Sequence, residues 1–280
     1  MPRVAVAQFS GNVDWRENIA AVRRLARRAA EAGADMVCFH EVASTIYPAF
    51  TNDPEFFRLA ESEDGPSVTE ARNIAREAGL SVVYPFFERE GDHYYNSAVV
   101  FGRDGERLTK YRKNTIPSGL GRLVGTSGSE EYYFAPGDLG FPVVQTDLGV
   151  KLGLNICYDR NLPEPARCAA LNGAELLCVP VTSTQRARSR WEMLLCARAV
   201  ENVMYVAAPN RVGVDRGGAP EFYFGESLII NPRGEIVAHA SATEEDVVWA
   251  DLDLDLLESQ RKNWIFFTDR RPDEYAAIRR

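Results

Sequence analysis

The sequence predicts an α/β fold of four layers, an α-β-β-α sandwich with an internal pseudo-repeat. First, short apolar strands alternate with amphipathic helices along the chain, which is the pattern of an α/β architecture. Second, two stretches recur. Ala32-Gly33-Ala34-Asp35-Met36-Val37-Cys38 resembles Asn172-Gly173-Ala174-Glu175-Leu176-Leu177-Cys178. Ser97-Ala98-Val99-Val100 before Arg103-Asp104-Gly105-Glu106 resembles Ser227-Leu228-Ile229-Ile230 before Arg233-Gly234-Glu235. Each half reads strand, helix, strand, helix, strand, strand, and two such β-rich halves bury their apolar faces by packing sheet on sheet with helices outside. Third, no Pro/Gly/Ser-rich linker interrupts the 280 residues, so 1–280 reads as a single domain.

The elements follow in order. Val4-Ala5-Val6-Ala7-Gln8-Phe9 reads as a first strand. Asp14 to Ala32 reads as a helix, with Ile19, Val22, Leu25 and Ala29 at helical spacing, arginines on the other face and Gly33 as the stop. Met36 to Phe39 is a short buried strand that delivers His40 and Glu41. Ser67 to Ala78 is a second helix, with Ser67 and Glu70 spaced as a capping box. Strands over 81–88 and 94–101, a turn at 103–106 and a strand over 107–112 lead to Lys113. Residues 114–131 read as a long polar, glycine-rich loop, a length that in a compact domain points to function or disorder.

The strand beginning at Val150 runs through Leu154-Asn155-Ile156 to Cys157-Tyr158-Asp159-Arg160, and Asn161-Leu162-Pro163-Glu164-Pro165 opens a helix. Then come a strand over 175–179, a helix over about 189–202, strands over 204–208 and 222–230, a turn at 232–234 and a strand over 247–251. The aromatic stretch Trp264-Ile265-Phe266-Phe267 lies near the C-terminus.

Composition narrows the class. A net charge of -8 argues against a nucleic-acid partner, which calls for a basic face. No apolar run approaches the ~18–20 residues of a membrane span. Met1-Pro2-Arg3-Val4 leads straight into a strand and leaves no room for a signal peptide. The five cysteines, Cys38, Cys157, Cys168, Cys178 and Cys196, form no C-x-x-C pair, so neither a disulfide framework nor a zinc site is expected. That usage suits a reducing, cytoplasmic setting. His40, His93 and His239 have no metal-binding spacing, and no metal or cofactor is expected.

Glu41, Lys113 and Cys157 are each the first reactive polar group after an apolar strand, and strand ends converge at one rim of a sheet. Read singly they are a solvated glutamate, a solvated lysine and a core cysteine. A carboxylate directly after Val-Cys-Phe-His is an odd place for a solvated charge, however. A thiol at a strand-to-helix corner sits near a positive helix end, which is expected to lower its pKa. Together the three types suit nucleophilic carbonyl chemistry. The thiolate attacks, a buried carboxylate takes and returns the proton, and an ammonium with the backbone N–H after the cysteine holds the oxyanion.

Phe39-His40-Glu41, Tyr111-Arg112-Lys113-Asn114-Thr115-Ile116-Pro117 and Asn155-Ile156-Cys157-Tyr158-Asp159-Arg160 resemble the three motifs of the nitrilase superfamily of carbon–nitrogen hydrolases in order and spacing. Arg198-Ala199-Val200-Glu201-Asn202 and Ala208-Pro209-Asn210-Arg211 resemble a further stretch of that family. One departure is His40, where the family more often has proline. The resemblance implies an α-β-β-α sandwich that pairs through its sheets into a homodimer or higher homo-oligomer. It implies Cys157 as nucleophile, Glu41 as general base and Lys113 as oxyanion stabiliser. Glu130-Glu131-Tyr132-Tyr133-Phe134-Ala135-Pro136-Gly137-Asp138 matches a stretch that carries a second glutamate; Glu130 aligns best, with the reverse order open. Its implied role is to orient Lys113 and the substrate.

The stretch from Glu130 through Pro142 is similar to the carbamoylase branch, which splits a ureido group into amine, carbon dioxide and ammonia. In the branch acting on N-carbamoyl amino acids an arginine commonly stands where Arg160 does, whereas relatives acting on carbamoylputrescine tend to carry an uncharged residue there. Arg160 then clamps a carboxylate with two prongs, or else pairs with Asp159 or Glu164 and supports the corner. Tyr158, Thr182, Ser183 and Thr184 are candidate pocket residues, and Arg186, Arg188 and Arg190 form a second possible anion site or a solvated run. The alternatives within enzymes are a general aliphatic amidase or ω-amidase, an N-carbamoylputrescine amidase or a nitrilase. From another class, the alternative is a catalytically silent binding scaffold on the same fold.

Overall fold

The computed structural model describes residues 1–119 and 127–279. Strands β1 (Arg3–Gln8), β2 (Met36–Phe39), β3 (Ser81–Glu90), β4 (His93–Phe101) and β5 (Arg107–Arg112) lie side by side in that order. β1, β2 and β3 are parallel, and β4 and β5 antiparallel. The second sheet is built from β6 (Val143–Gln145), β7 (Lys151–Leu154), β8 (Leu176–Cys178) and β9 (Tyr205–Ala208). A two-stranded ribbon, β10 (Val212–Val214) with β11 (Phe222–Phe224), interrupts it before β12 (Leu228–Ile230) and β13 (Ile236–His239). Its order is β13-β12-β9-β8-β7-β6. β7, β8 and β9 are parallel, and β12 and β13 antiparallel, so the second sheet repeats the first. β14 (Asp246–Asp251) returns to the first sheet as an antiparallel edge beside β1, as β6 does beside β7.

Alternation along the strands assigns the layers. Val4, Val6, Cys38, Val83, Ala98 and Val100 face the second sheet and share one core with Leu154, Cys178, Ala207 and Ile229. Ala5, Ala7, Val37 and Phe39 face the opposite way, onto helices α1 (Trp15–Glu31) and α2 (Pro66–Ala78). A residue period of two puts neighbours on opposite faces, so the central strands β1 and β2 are buried on both. Cys38 and Cys178, equivalent positions of the repeat, meet through their thiols across the sandwich. Further helices among the described residues are α3 (Glu130–Tyr133), α4 (Pro163–Leu171), α5 (Trp191–Asn202) and α6 (Leu254–Asn263). Among the described residues no helix is long and apolar enough to cross a membrane.

Several expected elements differ. The Ser67–Glu70 capping box does not form: Gly65 is the N-cap, Pro66 opens α2, and the Ser67 N–H donates to Glu61 at 2.9 Å. A carboxylate from outside the helix thus does the capping. The expected strand over 222–230 breaks between β11 and β12, where Gly225 and Glu226 take φ of 63° and 54°. Short strands β6, β10 and β13 and helix α6 escape the sequence pattern. In α6 only Leu257 is buried, and β13 has no buried residue, so neither carries a strong apolar period. Of the loop expected over 114–131, residues 120–126 lie outside the described residues, and Glu130 already belongs to α3.

Candidate active site

The strand ends of β2, β5 and β7 bring Glu41, Lys113 and Cys157 to one rim. The carboxylate of Glu41 and the ammonium of Lys113 are both fully buried and lie 3.0 Å apart. Lys113 Nζ also donates to Glu130 Oε2 at 2.5 Å. Asn96 on β4 donates through Nδ2 to Glu41 Oε1 at 2.8 Å, and its carbonyl accepts the Lys113 N–H at 2.8 Å. One residue therefore fixes both partners. Glu41 Oε2 has no hydrogen-bond partner among the described residues. Glu130 is buried with Lys113, whereas Glu131 is exposed.

Two residues next to the chemistry hold the left-handed backbone region, Val42 at φ 49° and Cys157 at φ 46°. Such conformations cost energy for residues with a side chain and persist only when surroundings impose them. Around Cys157, the surroundings are visible. Its N–H donates to Pro180 O at 2.8 Å. Buried Asp159 accepts from the Ile156 N–H, the Thr115 N–H and the Tyr111 hydroxyl at 2.7–2.9 Å. Cys157–Asn161 forms a short 3-10 turn, whose early N–H groups, Tyr158 included, have no acceptor inside the turn. Around Val42, Arg211 is fully buried. Its Nη2 donates to the carbonyls of Glu41, Val42 and Thr45 at 2.7–3.0 Å, and its Nη1 pairs with Asp215 at 2.5 Å.

Electrostatics correct one expectation. The Cys157 thiol is pushed up to about 12, first by burial and then by the Glu41 carboxylate, with Lys113 and Arg160 opposing. The corner does not release a resting thiolate, because desolvation and a neighbouring anion outweigh the two cations, and the helix itself starts only at Pro163. For Lys113, burial pulls the pKa down, but Glu130 and Glu41 overcome it and hold the ammonium above its ordinary range. Burial raises Glu130 against the pull of Lys113. The Tyr47 hydroxyl hydrogen-bonds Glu130, and burial beside Glu130 and Glu41 raises it far above an ordinary phenol. His40 is buried and kept neutral by desolvation and by Arg211; it bonds the Glu41 carbonyl and leaves the carboxylate in place.

The cavity in front of Cys157 has a volume of about 520 Å³. Tyr158, Arg160, Thr182, Ser183 and Thr184 all line it. Arg160 is buried; its Nη1 donates to Cys157 O at 2.8 Å and lies 3.5 Å from Sγ, and its Nη2 donates to Ser183 Oγ at 2.8 Å. It makes no ion pair with Asp159, whose oxygens are occupied as described, nor with any other described residue. Thr182 Oγ1 donates to the Glu41 carbonyl at 3.1 Å. Of the basic run, Arg186 and Arg190 line the cavity while Arg188 pairs with Glu226. Among the described residues no cluster of three or more His, Cys, Asp or Glu side chains is placed to hold a metal ion.

Asn96, Tyr47 and Arg211 are the site residues that sequence reasoning missed. Asn96 carried a signal, a polar residue amid the apolar run of β4. Arg211 sits within the Ala208–Arg211 stretch already singled out, without a role. Tyr47 is unmarked by any local pattern.

The arrangement joins a buried thiol, carboxylate and ammonium. A sequence profile described as carbon-nitrogen hydrolase matches residues 3–262. An N-carbamoylputrescine amidase of Solanum lycopersicum is 36% identical, over 98% of this chain and 94% of that protein. A citrullinase of Francisella tularensis is 33% identical, over 99% and 97%. The crystal structure of a carbon-nitrogen hydrolase from Helicobacter pylori superposes with a TM-score of 0.91 at 31% identity, covering 100% of this chain and 98% of the other.

Proposed function

The chain belongs to the carbon–nitrogen hydrolase family, and from that premise we propose that it hydrolyses the ureido group of an N-carbamoyl amino acid to amine, carbon dioxide and ammonia. Glu41 takes the Cys157 proton on its unpartnered Oε2. A thiol held at about 12 is not ionised at rest, so attack and deprotonation must be coupled through this base. Sγ adds to the ureido carbonyl carbon, and the oxyanion is met by Lys113 Nζ and the Tyr158 N–H. Collapse expels a nitrogen that carries the proton back from Glu41, and water, activated by the same carboxylate, opens the acyl-enzyme. The net consumption is one water per R–NH–CO–NH₂, giving R–NH₂, CO₂ and NH₃. Glu130 fixes the ammonium for this role, and Asn96 aligns it with Glu41.

The single observation that carries the substrate class is Arg160. It is a buried guanidinium on the wall of the nucleophile's cavity, with no carboxylate partner among the described residues. An unpaired buried cation is costly, and a substrate carboxylate relieves the cost. Thr182 and Ser183 complete the polar wall. A second reading, a carbamoyl amine such as carbamoylputrescine, is favoured by the 36% identity to an amidase named for it. A panel of N-carbamoyl alanine, N-carbamoyl-β-alanine, carbamoylputrescine and a simple amide separates the two. Arg160→Gln should weaken hydrolysis of the acids by about 10–150-fold, the worth of a charged hydrogen-bonded pair, and spare carbamoylputrescine. Equal losses on all four would assign Arg160 to the corner alone.

A further inference from the structure

We propose that the substrate carries a second carboxylate several bonds beyond the first, held at the mouth of the cavity by Arg186 and Arg190. This rests on the ureido reading above and narrows its substrate class to N-carbamoyl derivatives of dicarboxylic amino acids. Among the described residues the cavity wall holds three guanidiniums, Arg160, Arg186 and Arg190, against one carboxylate, Glu130. Glu130 is already committed to Lys113. The wall is thus electropositive in a chain whose net charge is -8.

Depth separates the three cations. Arg160 touches the nucleophile and is buried, while Arg186 and Arg190 are exposed and so stand at the mouth. The basic run is not uniformly solvated. Arg188 turns away from the cavity and closes on Glu226 through both Nε and Nη2. Arg186 has only Glu221 at 3.8 Å, beyond hydrogen-bond reach. Arg190 makes no ion pair with any described residue. Tyr47, Phe50, Ala187 and Leu194 supply apolar wall to the same cavity. A deep cation, outer cations and apolar wall in one cavity fit a short methylene chain with an acidic group at each end. A volume of about 520 Å³ exceeds what a ureido group and one carboxylate require.

The test compares kcat/KM for N-carbamoyl glutamate, N-carbamoyl methionine (neutral and of similar length) and N-carbamoyl alanine. It uses wild type, Arg186→Gln, Arg190→Gln, the double variant and Arg188→Gln. The glutamate-to-methionine ratio should be well above one at low salt and fall as salt rises, because exposed pairs are screened. Each single substitution should lower that ratio about two- to fivefold and the double about tenfold, the scale of exposed charge pairs. Arg188→Gln should leave it in place. A wild-type ratio near one at low salt, or a ratio unmoved in the double variant, overturns the inference while the ureido reading stands. If a simple amide is cleaved and none of the three ureido acids is, the ureido reading itself fails, and this inference with it.

Discussion

Glu41 Oε1 and Lys113 Nζ lie 3.0 Å apart with neither side chain exposed to solvent. A buried carboxylate–ammonium pair is worth little as a source of stability, since desolvation offsets the attraction. It is more informative as a device that holds a carboxylate and a cation at fixed separation beside a thiol.

Cys157→Ala should abolish turnover and leave the fold intact, checked by circular dichroism beside an ammonia-release assay. Alkylation of the wild type should fall on Cys157 rather than on Cys38 or Cys178, which are fully buried in the core. An Ala variant that keeps a substantial part of wild-type activity would falsify the nucleophile assignment.

Glu41→Gln should lower kcat by at least ~100-fold, the scale of losing a general base. The same change should move the thiol in the opposite sense to its catalytic loss. Glu41 raises the Cys157 pKa, so its removal lowers that pKa. The rate of alkylation by iodoacetamide, followed against pH, should therefore rise at lower pH in the variant than in wild type. A profile displaced toward higher pH would show that Glu41 does not act on the thiol through its charge.

Glu130→Gln should reduce kcat markedly, because it strips Lys113 of one of two carboxylates, whereas the exposed Glu131→Gln should change little. Kinetics on the two variants decide the matter; a large loss at Glu131 with none at Glu130 would reverse the roles.

Arg211→Lys keeps a charge for Asp215 but cannot span the three carbonyls of Glu41, Val42 and Thr45. We expect kcat to fall by roughly tenfold or more with KM little changed, since a small displacement of a positioned base is enough for such a loss. A lowered melting temperature with unchanged kcat would confine Arg211 to the scaffold.

Glu88 should report on acid stability. Its carboxylate accepts from Arg112 Nε and Nη2, both at 2.9 Å, and from Lys110 at 2.7 Å. Burial raises its pKa, but Arg112, Lys110 and Ser97 outweigh burial and hold it below the usual 4.5. A depressed carboxylate contributes stability that is present above its unfolded pKa and is lost as pH falls through the folded one. Glu88→Gln should lower the melting temperature by several degrees at pH 7, from charged hydrogen bonds of about 1.5–3 kcal/mol. That deficit should shrink below about pH 4. A deficit independent of pH would mean that shape, not charge, matters at this position.

The sequence by itself determined the layering and which candidate site residues follow the strands. The two-residue alternation in Val4–Gln8 decides which face each residue presents, and the match of 32–38 with 172–178 foretells two sheets of the same strand order. Both are local or self-referential patterns, readable without knowing what packs where. Glu41, Lys113 and Cys157 were legible for the same reason, each following an apolar run. Only the tertiary structure decided how they are held. Asn96, Tyr47 and Arg211 come from separate parts of the chain and meet the site through a few hydrogen bonds between residues far apart in sequence, which leave no period behind. The direction of the Cys157 pKa was also beyond local reading. A helix end is visible in the sequence and leads one to expect a lowered value. Desolvation and the Glu41 charge raise it, and these depend on distance and burial, which exist only once the sheets have packed.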